Sequence, residues 1–133
     1  MTLSSQPQRV LIIDDHASFR AAVRDLLERR GFSVVAEADG ATSGLEAAAT
    51  VRPDAVMLDI HLPDGNGIDV CRVLTEANAA LVVLLVSADP DHGRWASDCG
   101  ARAFLPKARL WSADLVGLLS AGDPEQLTGH ATA

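Results

Sequence analysis

The stretch VLIIDDH, residues 10–16, decides the fold, because in it a run of four apolar residues ends on two adjacent carboxylates. Four consecutive apolar residues are typical of a strand that is buried on both faces. Neighbouring carboxylates repel each other, and burial makes each of them more costly unless a positive group offsets the charge. The pair is therefore either the polar end of a strand or half of a site, and the rest of the sequence has to distinguish the two.

The same pattern recurs along the chain, where short apolar runs alternate with helix-like stretches. The runs that predict strands are Val10–Ile13, Val34–Val35, Ala55–Leu58, Leu81–Val86 and Ala103–Leu105. The spacing of Phe19, Val23, Leu26 and Leu27 predicts a first helix. Further helices are expected over Thr42–Val51, Ile68–Ala77, His92–Cys99 and Ala113–Ala121. Five strands alternating with five helices predict an α/β fold, a doubly wound parallel sheet with helices on both faces.

Length and composition exclude several function classes. The 133 residues suit one compact domain, which we expect over residues 9–121 between a flexible N-terminal tail, 1–8, and a polar C-terminal tail, 122–133. The net charge of −7 and the pI near 4.8 argue against direct nucleic-acid binding by this chain. No apolar run approaches the ~20 residues that span a bilayer.

Two further features set the expected compartment and the role of the cysteines. The N-terminus lacks the apolar stretch of a secretory signal, so we expect a cytoplasmic protein without membrane association. Cys71 and Cys99 have no metal-ligand spacing, and we interpret them as small residues that fill the core.

Polar side chains follow four of the five predicted strands. Asp14 and Asp15 follow the first strand, Asp59 ends the third, and Ser87 and Lys107 follow the fourth and fifth. The carboxyl ends of parallel strands meet at one edge of the sheet, where ligands bind in such folds. Converging carboxylates favour Mg²⁺, and a metal beside a carboxylate, an ammonium and a hydroxyl suits phosphoryl transfer. Asp59 is then the candidate nucleophile.

Four segments in order resemble the receiver domain of bacterial two-component response regulators. They are IIDDH (12–16), MLDIHLPDGNG (57–67), LLVSAD (84–89) and GARAFLPK (100–107), and the resemblance covers residues 8–121. It implies a flavodoxin-like sheet of order 2-1-3-4-5, phosphorylation by a histidine kinase or a phosphotransfer protein, and Mg²⁺ or Mn²⁺ as cofactor. Phosphorylation would then switch the surface formed by the fourth helix, the fifth strand and the fifth helix.

The resemblance also assigns expected roles to the acidic residues. Asp59 matches the phosphoacceptor, and Asp14 and Asp15 match the acidic pair that holds the metal together with Asp59. The backbone carbonyl of His61 matches the third protein ligand, whereas its side chain is not implied as a ligand.

The remaining roles fall on residues after the later strands. Lys107 matches the basic residue that binds a phosphoryl oxygen, Ser87 the hydroxyl switch residue, and Phe104 the aromatic rotamer switch. The side chains of His61 and Asp89 flank the predicted site and are expected to modulate the lifetime of the phosphoryl group.

The expected output is control of a protein partner or of an output domain, with a phosphorylation-dependent homodimer as a further outcome. Two alternatives stay open. One is a Mg²⁺-dependent phosphohydrolase with an Asp nucleophile, although such enzymes of the haloacid dehalogenase type carry D-x-D where this chain has Asp59 followed two residues later by His61. The other is an adaptor that acts without phosphorylation. For Trp95 and Trp111, core packing and a contact role are both open.

Overall fold

The computed structural model describes residues 7–120, without the side chains of residues 94–97. The predicted tails therefore lie outside the described residues except for Pro7 and Gln8, and so does the side chain of Trp95. The strands are β1 (Arg9–Ile13), β2 (Ser33–Ala38), β3 (Ala55–Asp59), β4 (His61–Leu62), β5 (Gly65–Asn66), β6 (Val82–Ser87) and β7 (Ala103–Pro106). The α-helices are α1 (Ala17–Arg29), α2 (Ala41–Val51), α3 (Gly67–Ala77) and α4 (Leu115–Leu119), and two 3₁₀ segments cover Pro90–Asp98 and Lys107–Ser112.

Five strands form one parallel sheet of order β2-β1-β3-β6-β7. This confirms the predicted order 2-1-3-4-5, because β6 and β7 are the fourth and fifth strands of that sheet. The flanking strand β7 ends on Pro106, and a proline that lacks a donor is tolerated at a sheet edge. The sequence did not predict the second, two-stranded antiparallel ribbon of β4 and β5, which is inserted directly after Asp59.

The sheet separates two apolar layers, as the strand pattern requires. Alternate residues of β1 enter different clusters: Leu11 and Ile13 pack with Cys71 of α3, whereas Val10 and Ile12 pack with Leu27 of α1. Side chains of successive strand residues point to opposite faces, so a run without polar residues needs cover on both. Both cysteines are buried, which confirms that they fill the core.

The predicted fourth helix is wrong in type: the chain forms a 3₁₀ segment over Pro90–Asp98 instead of an α-helix over His92–Cys99. Gly93 lowers helix stability within this short segment. A Cβ at this position would lie 2.7 Å from the ring of Phe104, so the ring packs directly against the Gly93 backbone. The predicted fifth helix, Ala113–Ala121, is also shorter: α4 begins at Leu115, after Asp114 caps its N-terminus, and ends at Leu119.

A carboxylate from the loop after β4 caps the N-terminus of α2. Asp64 Oδ1 accepts a hydrogen bond from the Ala41 amide at 2.6 Å, and Oδ2 accepts one from the Thr42 amide at 3.0 Å. The hydrogen bonds from Thr42 and Ala41 hold the pKa of Asp64 below its ordinary value. Asp64 therefore supplies the cap that the preceding residue, Gly40, has no side chain to provide.

Replacing Asp64 with Ala is expected to lower the thermal midpoint at neutral pH by about 4 °C, because two helix amides lose their acceptor. The folded-state pKa is lower than the unfolded one, so this stabilisation is present above the unfolded value of about 3.9. It is lost as the pH falls through the folded-state pKa, and the two proteins should then melt alike. Circular dichroism melts at neutral and acidic pH measure the difference. The thermal midpoint of Asp64→Asn, which keeps one acceptor oxygen, should lie between those of the wild type and Asp64→Ala. Equal midpoints of the wild type and Asp64→Ala at neutral pH would contradict the cap.

Candidate functional site

The parallel strands bring the predicted polar residues to one edge of the sheet. Asp14 directly follows β1, and its amide donates to the Ala38 carbonyl at 3.0 Å, which continues the pairing with β2. Arg20 of α1 donates to the Asp14 carbonyl at 2.6 Å and fixes the start of the next loop. Among the described residues, the buried polar or charged ones are Asp14, Asp59 and Ser87. All three were predicted site residues.

Lys107 joins two of the carboxylates. Its Nζ lies 2.7 Å from Asp14 Oδ2 and 3.2 Å from Asp59 Oδ2. The ammonium also lies 4.2 Å from the centre of the Phe19 ring, which packs edge-on against Trp111. Lys107 is the only lysine in the sequence. The ring and the two carboxylates hold its charge at the carboxyl edge of the sheet.

One ammonium does not compensate two buried carboxylates. Burial, and then the charge of Asp14, raise the pKa of Asp59, and the contact with Lys107 offsets this only in part. Burial lowers the pKa of Lys107, but the close ionic contact with Asp14 and the charge of Asp59 outweigh it, so the net shift is upward. The site therefore carries excess negative charge that a further cation would relieve.

The acidic residues form a cluster that fits a hard divalent cation. Asp14, Asp15, His16 and Asp59 each offer a ligand atom, and these atoms lie within 4.8 Å of one another. Asp14 Oδ2 is buried and, within the described part of the chain, accepts no well-directed hydrogen bond although Lys107 is close. Carboxylate oxygens around an uncompensated charge are the donor set that Mg²⁺ and Mn²⁺ prefer.

His16 is a member of this cluster that the sequence reasoning missed. Its Nδ1 lies 3.2 Å from Asp14 Oδ1 and 3.1 Å from Asp15 Oδ1, and its amide donates to Asp14 Oδ1 at 2.8 Å. The signal available in the sequence was its position two residues after Asp14, where an Asp side chain commonly accepts from the backbone. His16 therefore orients the acidic pair.

The loop after β3 folds back over Asp59. The His61 amide donates to Asp59 Oδ1 at 3.2 Å, and the Gly67 amide donates to the Ile60 carbonyl at 2.7 Å. These two bonds close the β4–β5 ribbon against the end of β3. Residue 61 thus lies beside Asp59, and the role of its backbone carbonyl as a metal ligand stays a prediction.

Ser87 and Phe104 lie next to this edge, on β6 and β7. Ser87 Oγ accepts from the Asp89 amide at 3.1 Å and lies 2.6 Å from Nδ1 of His92. His92 was not predicted, since it stands one 3₁₀ turn after Asp89 in a segment whose conformation the sequence did not indicate. The predicted switch hydroxyl is therefore held by a histidine in this structure.

Two observations concern the rest of the described surface. Trp111 is 47% exposed and contacts Phe19, so it is neither a core residue nor isolated. Across residues 7–120, none of the helices combines the length and the apolar character that crossing a bilayer requires.

Comparison with known proteins agrees with this geometry. The family model of the response regulator receiver domain matches residues 10–115. The chain is 35% identical over 99 residues to the DNA-binding transcriptional activator EvgA of Escherichia coli (strain K12). The aligned region covers 73% of this chain and 48% of EvgA. It is 39% identical over 101 residues to the virulence factors putative positive transcription regulator BvgA of Bordetella pertussis. The aligned region covers 74% of this chain and 48% of BvgA. The chain therefore spans about half the length of these curated relatives.

Solved structures give the same result. A LuxR-family two-component response regulator from Aurantimonas sp. superimposes with a TM-score of 0.77 at 26% identity, covering 96% of this chain and all of that one (100%). The signal receiver domain of the putative response regulator NarL from Mycobacterium tuberculosis gives 0.72 at 28% identity, with 96% and 98% of the two chains covered. With the strand order and the acidic edge described above, these matches show that the chain belongs to the response regulator receiver domain family.

Proposed function

We propose that this chain is a phosphorylation-controlled signalling module in which Asp59 accepts a phosphoryl group from a histidine kinase or a phosphotransfer protein. The observation that carries the proposal is the position of Lys107, whose ammonium lies between the carboxylates of Asp14 and Asp59 at the carboxyl edge of the sheet. A positive group at that point can pair with a phosphoryl oxygen as the phosphoryl group arrives.

The residues that would hold Mg²⁺ or Mn²⁺ are Asp14, Asp15, Asp59 and the backbone carbonyl of His61. When bound, the ion supplies positive charge to the carboxylates and to the phosphoryl oxygens. The physical basis of this assignment is that a cation relieves the repulsion between the carboxylates of Asp14 and Asp59. Burial and the charge of Asp14 raise the pKa of Asp59, which shows that its charged form is disfavoured without such a cation.

In the proposed step, an Asp59 carboxylate oxygen forms a bond to phosphorus while the phosphorus–nitrogen bond of the donor phosphohistidine breaks. The released imidazole nitrogen takes a proton, and Lys107 compensates charge on a phosphoryl oxygen. The side chains of His61 and Asp89 flank Asp59 and Ser87, and we propose that they modulate hydrolysis of the acyl phosphate by positioning or excluding water.

The switch would begin at Ser87. A phosphoryl oxygen on Asp59 offers the hydroxyl a charged acceptor, which competes with the contact to His92. Once Ser87 moves, Phe104 can leave Gly93 for the vacated space. The surface formed by the 3₁₀ segment Pro90–Asp98, β7 and α4 would then change and be bound by a protein partner, a second copy of this chain, or an output domain.

Incubation with acetyl phosphate and Mg²⁺, followed by intact mass measurement, tests the assignment. The wild-type protein should gain one phosphoryl group, and Asp59→Asn should gain none, since an amide is not a nucleophile for this reaction. Addition of EDTA should prevent the gain. Asp69→Asn is the matched control, because this carboxylate is exposed on α3 and pairs only with a surface arginine, Arg72, in the contacts described. Equal labelling of wild type and Asp59→Asn would sink the proposal.

A further inference from the structure

One histidine holds the hydroxyl that the proposed switch uses. His92 lies in the 3₁₀ segment Pro90–Asp98, and its Nδ1 is 2.6 Å from Ser87 Oγ. Ser87 is fully buried, whereas 17% of the His92 side chain is exposed. The Asp89 amide donates to the same hydroxyl oxygen at 3.1 Å. Both contacts come from the chain that follows β6, so they direct the hydroxyl towards that part of the molecule.

The surroundings of the His92 ring indicate that its Nδ1 accepts the hydroxyl proton. The other ring nitrogen, Nε2, lies 3.2 Å from His61 Nε2 and 3.6 Å from Asp89 Oδ2. The negative charge of that carboxylate favours a proton on His92 Nε2, which then donates to His61. The lone pair of the neutral ring is then on Nδ1, and Ser87 donates its one proton to it. The hydroxyl proton is therefore engaged before a phosphoryl group arrives.

His61 fixes the His92 ring from a second side. It begins β4, in the ribbon that follows Asp59, and the centroids of the two rings are 4.4 Å apart with an interplanar angle of 69°. Aromatic rings favour such an edge-to-face arrangement. With its rotation restricted in this way, the His92 ring loses less conformational entropy when it binds the Ser87 hydroxyl.

The residue after His92 contacts the second predicted switch residue. A Cβ on Gly93 would lie 2.7 Å from the Phe104 ring, so this ring packs directly on the Gly93 backbone. The turn is closed by the His92 amide, which donates to the Asp89 carbonyl at 3.2 Å. Two consecutive residues thus contact both switch residues, one through its side chain and the other through its backbone. The positions of Ser87 and Phe104 are coupled through this one turn.

We propose that His92 is a positioning residue that keeps the Ser87 hydroxyl in the unphosphorylated arrangement and so sets how readily the switch responds. The inference rests on the function proposed above, in which a phosphoryl group on Asp59 attracts Ser87. A group bound to Asp59 must then replace the hydrogen bond between Ser87 and His92. Its apparent affinity is scaled by the fraction of molecules in which the hydroxyl is free. Removal of the His92 ring should therefore make the chain more responsive.

Titration with beryllofluoride at saturating Mg²⁺, followed by fluorine NMR, tests this role, because beryllofluoride is a non-hydrolysable mimic of a phosphoryl group on an aspartate. His92→Ala should bind it about fivefold more tightly than the wild type, since one hydrogen bond no longer competes. A merely structural role predicts the opposite, a loss of affinity. Asp91→Ala changes an exposed residue of the same segment and should keep the wild-type affinity.

A double variant separates an action through Ser87 from a direct effect on the site. Ser87→Ala has no hydroxyl to hold, so adding His92→Ala should leave the beryllofluoride affinity of Ser87→Ala unchanged. Nitrogen NMR of the wild type gives a readout that needs no variant. The Nδ1 signal of His92 should move when beryllofluoride saturates the chain, because the hydroxyl proton leaves this nitrogen.

Three results would overturn the role of His92 alone: an affinity of His92→Ala no higher than that of the wild type, a gain that persists in the Ser87→Ala background, or an unmoved Nδ1 signal. A wild-type chain that does not bind beryllofluoride would instead overturn the proposed function, and the role of His92 with it.

Discussion

Replacing Lys107 with Met is expected to lower the free energy of unfolding by about 3 kcal/mol, because the variant leaves two buried carboxylates without their shared cation. The side chains of Asp14 and Asp59 are 1% and 4% exposed, so water cannot replace the ammonium. The loss should shrink at acidic pH, where a proton can neutralise one carboxylate. Urea unfolding in EDTA, at neutral and acidic pH, measures the effect.

Two variants act as controls for the Lys107 prediction. Arg29→Met removes one positive charge from an ion pair with Asp25 in which both side chains are mostly exposed, and the cost should stay below about 0.5 kcal/mol. Asp59→Asn should change stability in the opposite direction, because it removes the carboxylate whose pKa is raised by burial and by Asp14. If Lys107→Met were no less stable than Arg29→Met, the account of the buried cluster would be wrong.

Replacing Gly67 with Ala is expected to cost about 3 kcal/mol and to slow phosphorylation of Asp59, because the added methyl group meets backbone and not a movable side chain. A Cβ at residue 67 would lie 2.2 Å from the Asp59 carbonyl oxygen and 2.7 Å from Ile60 Cα. Relief requires the loop to move away from the end of β3. That movement would weaken the hydrogen bond that the His61 backbone amide donates to the Asp59 carboxylate.

The neighbouring Gly65 provides the matched control. A Cβ there would meet the Ala41 side chain at 3.0 Å, so Gly65→Ala should cost less than about 1 kcal/mol and leave phosphorylation close to wild type. Thermal unfolding and the rate of mass gain with acetyl phosphate report the two effects. Equal behaviour of Gly65→Ala and Gly67→Ala would show that the close approach to Asp59 is unimportant.

Much of the main sheet could be predicted from local sequence. The run Ala55–Leu58 predicts a strand buried on both faces, and β3 covers Ala55–Asp59 with every residue buried. Such runs carry their own signal, because burial on two faces excludes polar residues from consecutive positions. The strand order is not encoded in any one run. It followed from resemblance of four segments to receiver domains, and the structure confirms it.

The local conformation of two regions could not be predicted in the same way. The β4–β5 ribbon has two residues in each strand, too few for a periodic pattern. The 3₁₀ segment Pro90–Asp98 depends on the ring of Phe104, which packs on Gly93 from a strand that follows later in the chain. In the 3₁₀ segment, this tertiary contact acts together with the low helix propensity of Gly93.

The sequence by itself determined the apolar strands, the helical stripe of α1 and the placement of Asp14, Asp59, Ser87 and Lys107 at strand ends, since periodicity and strand polarity are local properties. Only the tertiary structure decided which side chains pair: His92 with Ser87 and His61, and Asp64 with the start of α2. These contacts join residues whose side-chain directions depend on how separate loops are folded over the sheet. No spacing in the sequence specifies those directions, because they follow from the path of the whole backbone.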